Sequence, residues 1–155
     1  LILNVQGDEP LIPPAVLGEL VRHMRRTNVD MGTAAVPFRL TGRDPADPNA
    51  VKVVVDGNSV ALYFSRALIP YCRSGGTAVE PLLHWGLYAY RREFLRQFVA
   101  WPRGRLETCE MLEQLRALEH GARIYVLQTD QVSAGVDVPA DVALVERLLR
   151  EQGKV

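Results

Sequence analysis

Leu1-Ile2-Leu3-Asn4-Val5-Gln6-Gly7-Asp8-Glu9-Pro10 is the stretch that decides the fold class. Its first five residues form an apolar run of the kind a strand shows when both faces are covered. Gln6-Gly7-Asp8 then leaves the strand, and Pro13-Pro14 lead into Val16, Leu17, Leu20, Val21 and Met24 at helical spacing. Strand, carboxylate-bearing loop and helix in that order predict an open α/β sheet, where ligands sit just beyond the carboxyl ends of strands. Asp8 occupies that place. Gly7 permits close backbone approach and Pro10 stiffens the exit, so this carboxylate either aims at a ligand or closes an Asx turn. A strand covered on both faces needs neighbours on both sides, and this one opens the chain without a Met. The expectation is therefore a fragment, with part of the sheet and of any site in sequence outside it.

Outward from that stretch, Met31 to Phe38 reads as a second strand, and Thr41 to Asn49 as a loop rich in Asp, Pro and Gly. Val51–Val55 and Val60–Phe64 flank Asp56-Gly57-Asn58-Ser59, a hairpin signal that brings antiparallel strands into the α/β pattern. Ser74 to Thr77 predicts a flexible loop, His84 to Tyr90 a strand and Arg92 to Val99 a short helix. From Leu106 to His120, Met111, Leu112, Leu115 and Leu118 make an apolar stripe that predicts one helix stopped at Gly121. A short strand at Ile124–Leu127 and a helix carrying Val142, Val145, Leu148 and Leu149 complete the pattern.

The chain has 155 residues, 48% of them apolar, which suits one domain with one substantial core. Lys+Arg and Asp+Glu balance at 18 each, so no global field draws nucleic acid or an anionic membrane, and any phosphate site must be local. No apolar run approaches the roughly 20 residues a membrane helix needs. Cys72 and Cys109 share no metal or disulfide spacing, consistent with two buried or half-buried thiols in a reducing, cytosolic setting.

A second carboxylate of interest is Asp137 in Gly135-Val136-Asp137-Val138-Pro139-Ala140-Asp141, again between a strand-like segment and a helix start. With Pro139 as the first helical residue, Asp137 either caps the helix or stands free for a ligand. Two carboxylates at strand ends can share Mg²⁺, which takes few protein carboxylates and completes its octahedron with water and phosphate oxygens.

Five strings occur in a telling order: Asn4 to Pro10, Pro48-Asn49-Ala50-Val51-Lys52-Val53-Val54, Leu62-Tyr63-Phe64-Ser65-Arg66-Ala67, Leu112-Glu113-Gln114-Leu115-Arg116, and Gly135-Val136-Asp137. Together they resemble the CMP-Kdo synthetases (3-deoxy-manno-octulosonate cytidylyltransferases) over nearly the whole chain. The resemblance implies a three-layer α/β sandwich of the nucleotide-diphospho-sugar transferase type. Its sheet would be Rossmann-like and mostly parallel, with an antiparallel excursion around residues 51–90, and residues 1–155 would be the carboxy-terminal part of a single cytidylyltransferase domain. It implies a Mg²⁺-dependent transfer from CTP to the acidic eight-carbon sugar Kdo, giving CMP-Kdo and pyrophosphate for lipopolysaccharide biosynthesis in the cytoplasm. Asp8 and Asp137 would bind the metal. Gln6, Arg66, His84, Tyr88, Glu113 and Gln114 would contact the sugar, whose carboxylate and hydroxyls call for a guanidinium and neutral hydrogen-bonding groups.

Taken singly, those residues admit other roles: Arg66 a surface ion pair, His84 a half-buried histidine, Tyr88 core packing, Glu113 and Gln114 a solvated helix face. The family's glycine-rich, basic triphosphate loop and its cytosine-reading segments have no counterpart here, so the isolated chain is expected to be inactive. A homodimer through the antiparallel excursion, anchored by Tyr63, Phe64 and Trp85, is a further expectation. Cytidylyl transfer to another acidic sugar such as a sialic acid, or a non-catalytic binding domain that kept the fold, are the alternatives.

Overall fold

A computed structural model describes residues 1–73, 79–136 and 139–151, with the backbone alone for 139–141 and 144. Four strands and a helix make the frame: β1 (Ile2–Val5), α1 (Pro14–Arg26), β2 (Met31–Pro37), β3 (Lys52–Val55) and β4 (Ala61–Ser65). There follow β5 (Leu82–His84), β6 (Leu87–Tyr90), α2 (Arg92–Ala100), α3 (Arg105–Glu110), α4 (Gln114–Glu119), β7 (Ile124–Gln128) and α5 (Pro139–Glu151). The predicted Ser74–Thr77 loop and Asp137 lie outside the described residues.

The sheet runs β1-β6-β2-β5-β3-β4, with β7 on the other side of β2. Helices cover both faces, so three layers form as expected. Strand direction departs from expectation. Among the described strands only β2 and β7 pair in parallel, from Met31↔Ile124 to Ala35↔Gln128, and every other pair is antiparallel. The hairpin signal already placed β3 and β4 antiparallel, while the direction of β1, β5 and β6 is set by connections that strand periodicity does not encode. The hairpin also curls back to β7, where Val126 N donates to Ser59 O at 2.8 Å.

Alternation along β2 divides the core. Met31 and Ala35 face one cluster with Phe64, Tyr88, Tyr90, Phe94, Phe98 and Leu115, beneath α2 to α4. Ala34 and Val36 face the other, with Val16, Leu20 and Met24 of α1. Gly32 lets α1 come close: a Cβ there would meet Leu20 Cδ1 at 2.8 Å and Met24 Sδ at 3.0 Å. The C-terminal carbonyls of α1 find a donor in Arg91, whose Nη2 reaches Met24 O at 2.9 Å and whose Nε reaches Val29 O at 2.9 Å.

Two local expectations are corrected, while β1 agrees with the expectation that its covering neighbours lie outside this chain: Leu1 and every residue of β1 are exposed, and among the described residues β1 pairs with β6 alone. The predicted strand His84–Tyr90 is two strands, broken at Trp85-Gly86, where Leu87 N turns back to Trp85 O at 2.8 Å. Finally, the predicted helix Leu106–His120 is α3 and α4, broken at Met111, whose φ of 54° is left-handed. Of the expected apolar stripe, Leu112, Leu115 and Leu118 pack in or against the cluster beneath the helices, whereas Met111 at the break is 63% exposed. Gly121 ends α4 at φ +76°, as its position predicts.

Candidate active site

The carboxyl end of β1, the 41–49 loop, the end of β4, the β5–β6 break, the α3–α4 kink and residues 132–135 surround one cleft of about 910 Å³. Gln6, Asp8, Arg66, His84, Tyr88, Glu113 and Gln114 all line it. Seven of the eight residues singled out from the sequence are thus brought together from four segments. Asp137 lies outside the described residues, but its approach is visible: Val136 N donates to Asp8 O at 2.7 Å, and Ser133 Oγ donates to Glu9 Oε2 at 3.0 Å. The two strings bearing the candidate metal carboxylates therefore meet.

Each side chain is held by identifiable contacts. Gln6 packs against Gly86, where a Cβ would meet its Cδ at 2.9 Å, so the glycine leaves room for the amide. Arg66 is pinned by its Nε to Glu110 O (2.8 Å) and its Nη1 to Pro48 O (2.9 Å), while Glu110 accepts from Arg66 N (2.9 Å) and Ser65 Oγ (2.7 Å). Its cation is thus oriented by carbonyls rather than spent in a surface ion pair, and three of its five N–H groups have no such partner among the described residues. Lys52, fully buried, donates to Arg66 O (2.6 Å) and Asp47 O (2.9 Å), and burial lowers its pKa.

On the facing wall, the left-handed Met111 turns the chain so that exposed Glu113 and buried Gln114 reach the cleft. Gln114 is 2% exposed, which removes the solvated-face reading for it, and its Nε2 is a buried donor with no partner among the described residues. Unmade bonds of this kind are costly, and their presence in a cleft wall needs a reason. Tyr88 combines core packing with cleft lining. Its hydroxyl is pushed well above its ordinary pKa by burial and then by Tyr90 and Glu113, so it stays protonated. Burial lowers the His84 pKa to about 3, so its ring is neutral.

Sequence reasoning missed the loop before β3, which adds Thr41, Arg43, Asp47 and Asn49 to the cleft. Two Asx turns shape it, Ala46 N to Asp44 Oδ1 and Asn49 N to Asp47 Oδ1, both at 2.8 Å. That spacing was the available signal. The bond from Asn49 and the Arg43 guanidinium hold the Asp47 carboxyl below its ordinary pKa. The expected dimer anchors fare worse. Phe64 and Trp85 are 0% and 3% exposed in the two cores, because alternation turns them inward, and only half-buried Tyr63 is left of the three. Cys109, expected buried or half-buried, is exposed, and no helix among the described residues is long and apolar enough to cross a membrane.

Mixed-sheet fold and cleft define a class: the chain belongs to the cytidylyltransferase family, whose model matches residues 1–124. Within it, the chain is 47% identical over 150 residues to the 3-deoxy-manno-octulosonate cytidylyltransferase of Koribacter versatilis, a match covering 97% of this chain and 56% of that protein. With the enzyme of the same name from Syntrophotalea carbinolica the identity is 48% over 159 residues, covering 97% and 63%. A solved CMP:2-keto-3-deoxy-manno-octonic acid synthetase complexed with CTP matches with a TM-score of 0.88 at 36% identity, covering 97% of this chain and 61% of that one. The chain thus spans about six-tenths of the length of these relatives.

Proposed function

We propose that the full-length protein joins CTP and Kdo to give CMP-Kdo and pyrophosphate, acting in the cytoplasm as a homodimer. The observation that carries this reading is the unpartnered Gln114 donor in a cleft that also gathers Arg66, Gln6, Glu113 and neutral His84. A sugar acid asks for that set. The N–H groups of Arg66 without a partner among the described residues suit its carboxylate, and the amides, Glu113 and His84 suit its hydroxyls. Catalysis of the transfer is chiefly positioning: the anomeric hydroxyl forms its bond to the α-phosphorus in line as the bond to the pyrophosphate oxygen breaks, and the hydroxyl proton leaves to solvent. Another acidic sugar and a non-catalytic domain gain no support from the relatives' names.

Mg²⁺ fits the residues present. Among the described residues no cluster of three or more acidic, His or Cys side chains could hold a metal, but Mg²⁺ needs only one or two carboxylates beside phosphate oxygens and water. Asp8 is exposed on the cleft, and the backbone leading to Asp137 is bonded to it. Bound by Asp8 and Asp137, the ion would neutralise charge on the triphosphate.

Pyrophosphate release by the full-length protein, measured with CTP and Mg²⁺ against Kdo and then a sialic acid, tests the reading. Turnover is expected with Kdo alone, and none with Kdo under any of these conditions rejects it. Light scattering on the same preparation checks the dimer.

A further inference from the structure

Thr33 sits on β2, fully buried, and none of the chemistry above uses it. Its hydroxyl has three polar neighbours: Leu87 O at 2.8 Å, Trp85 O at 3.3 Å and His84 Nε2 at 2.9 Å. A hydroxyl carries one proton, and carbonyl oxygens only accept. The proton goes to Leu87 O, the nearest carbonyl. Were it given to His84 instead, the Thr33 oxygen would face two carbonyl oxygens with no hydrogen between them. Thr33 Oγ1 is therefore the acceptor toward His84, and Nε2 is the nitrogen that carries the hydrogen.

The remaining ring nitrogen then has no proton. Burial keeps His84 from becoming an imidazolium, with its pKa at about 3. Phe64 meets the ring edge-on at 5.0 Å and Tyr88 lies tilted at 5.5 Å, so the imidazole is fixed in plane and direction. No hydrogen bond among the described residues engages Nδ1, and His84 lines the cleft. The strand break at Trp85-Gly86 belongs to the same device. It interrupts the ladder that β5 and β6 each make with β2 and leaves two carbonyls turned toward one threonine.

We propose that Thr33 is a positioning residue that locks His84 as the neutral Nε2–H tautomer, so that Nδ1 is presented to the cleft as a hydrogen-bond acceptor for a substrate hydroxyl. The inference rests on the proposed function for the identity of that substrate, a polyhydroxylated acid, but not for the tautomer. With Gln114 Nε2 as an obligate donor, the cleft offers one fixed donor and one fixed acceptor, a pairing that discriminates against an analogue lacking the hydroxyl.

Long-range ¹H–¹⁵N correlation of the imidazoles in the ¹⁵N-histidine-labelled full-length protein tests the lock, with His84 assigned by the signals lost in His84→Gln. Nε2 is expected to be protonated and Nδ1 bare between about pH 5 and 8. Thr33→Val should mix the tautomers and raise KM for the sugar by about tenfold, while KM for CTP stays unchanged. Thr33→Ser should restore both. An Nδ1–H tautomer in the parent, or Thr33→Val with unaltered tautomer and sugar KM, overturns the proposal. If Thr33→Val does not fold, the parent spectrum and Thr33→Ser still decide it. Absence of turnover with the expected tautomer present would reject the function and leave the lock standing.

Discussion

Glu107→Gln should be among the most destabilising single changes in the chain although it alters one atom. Glu107 is 3% exposed and takes both arms of Arg116, at 2.7 Å from Nε and 2.6 Å from Nη2. That fork ties α3 to α4 across the Met111 kink, and so sets where Gln114 enters the cleft. The amide keeps the shape and can still accept from Gly104 N, now at 3.3 Å, but it leaves the guanidinium without its counter-charge. Breaking a buried pair costs about 3–5 kcal/mol. Arg116 keeps weak bonds to Phe98 O and Trp101 O, both at 3.4 Å, and lies 4.8 Å over the Phe98 ring, which argues for the lower end. For a chain of this size or somewhat larger, about 3 kcal/mol lowers Tm by about 6–12 °C. Urea and thermal denaturation of the full-length protein would measure it, with Glu107→Leu/Arg116→Met recovering most of the loss because no charge is then left unpaired. The hydrogen bond from Arg116 holds the Glu107 carboxyl below its ordinary pKa of 4.5. Its contribution is therefore whole above that pH and fades as pH falls through the depressed value, so parent and variant should converge in acid. A loss under about 1 kcal/mol, or a double variant as unstable as the single one, would refute the reasoning.

Gly86→Ala should displace the Gln6 amide with little effect on Tm, since the clash falls on the far end of a flexible side chain, and should raise KM for the sugar. Met111→Gly relieves a left-handed residue and should stabilise by up to about 1 kcal/mol in denaturant titration, while loosening the α3–α4 kink enough to reduce turnover. Asp8→Asn, at an exposed position, should leave Tm within a few degrees yet reduce turnover by on the order of a hundredfold, with partial rescue by excess Mg²⁺. Near-parental turnover at limiting Mg²⁺ would remove Asp8 from the metal site.

Periodicity and turn chemistry carried much of the fold. The α1 stripe, the β3–β4 hairpin and the Gly121 stop are local signals, and each appears where its residues placed it. Strand direction and the breaks at Gly86 and Met111 were not legible, because they depend on which elements meet in space. The site was legible in a different manner. Taken alone, His84, Tyr88 or Gln114 reads as packing or surface, and only the ordered strings predicted that they converge on one cleft. Arg43 and Asp47 went unread because the Asx spacing of their loop signals its turns but not the wall it faces.

Two of the cations that hold the cleft are bonded to carbonyls. Lys52 holds the carbonyls of Asp47 and Arg66, and Arg66 those of Glu110 and Pro48. Loop carbonyls near a buried site must be satisfied, and water there would be lost or displaced whenever substrate entered. A buried ammonium or guanidinium satisfies them permanently and ties two segments together in doing so. For Lys52 this carries a desolvation cost, seen in its lowered pKa, that no carboxylate in direct contact offsets. The gain is that the 41–49 loop and Arg66 are tied to one buried ammonium. Under the proposed function, the guanidinium that would meet the sugar acid is thereby aimed before the substrate arrives, and its ordering entropy is spent during folding rather than during binding.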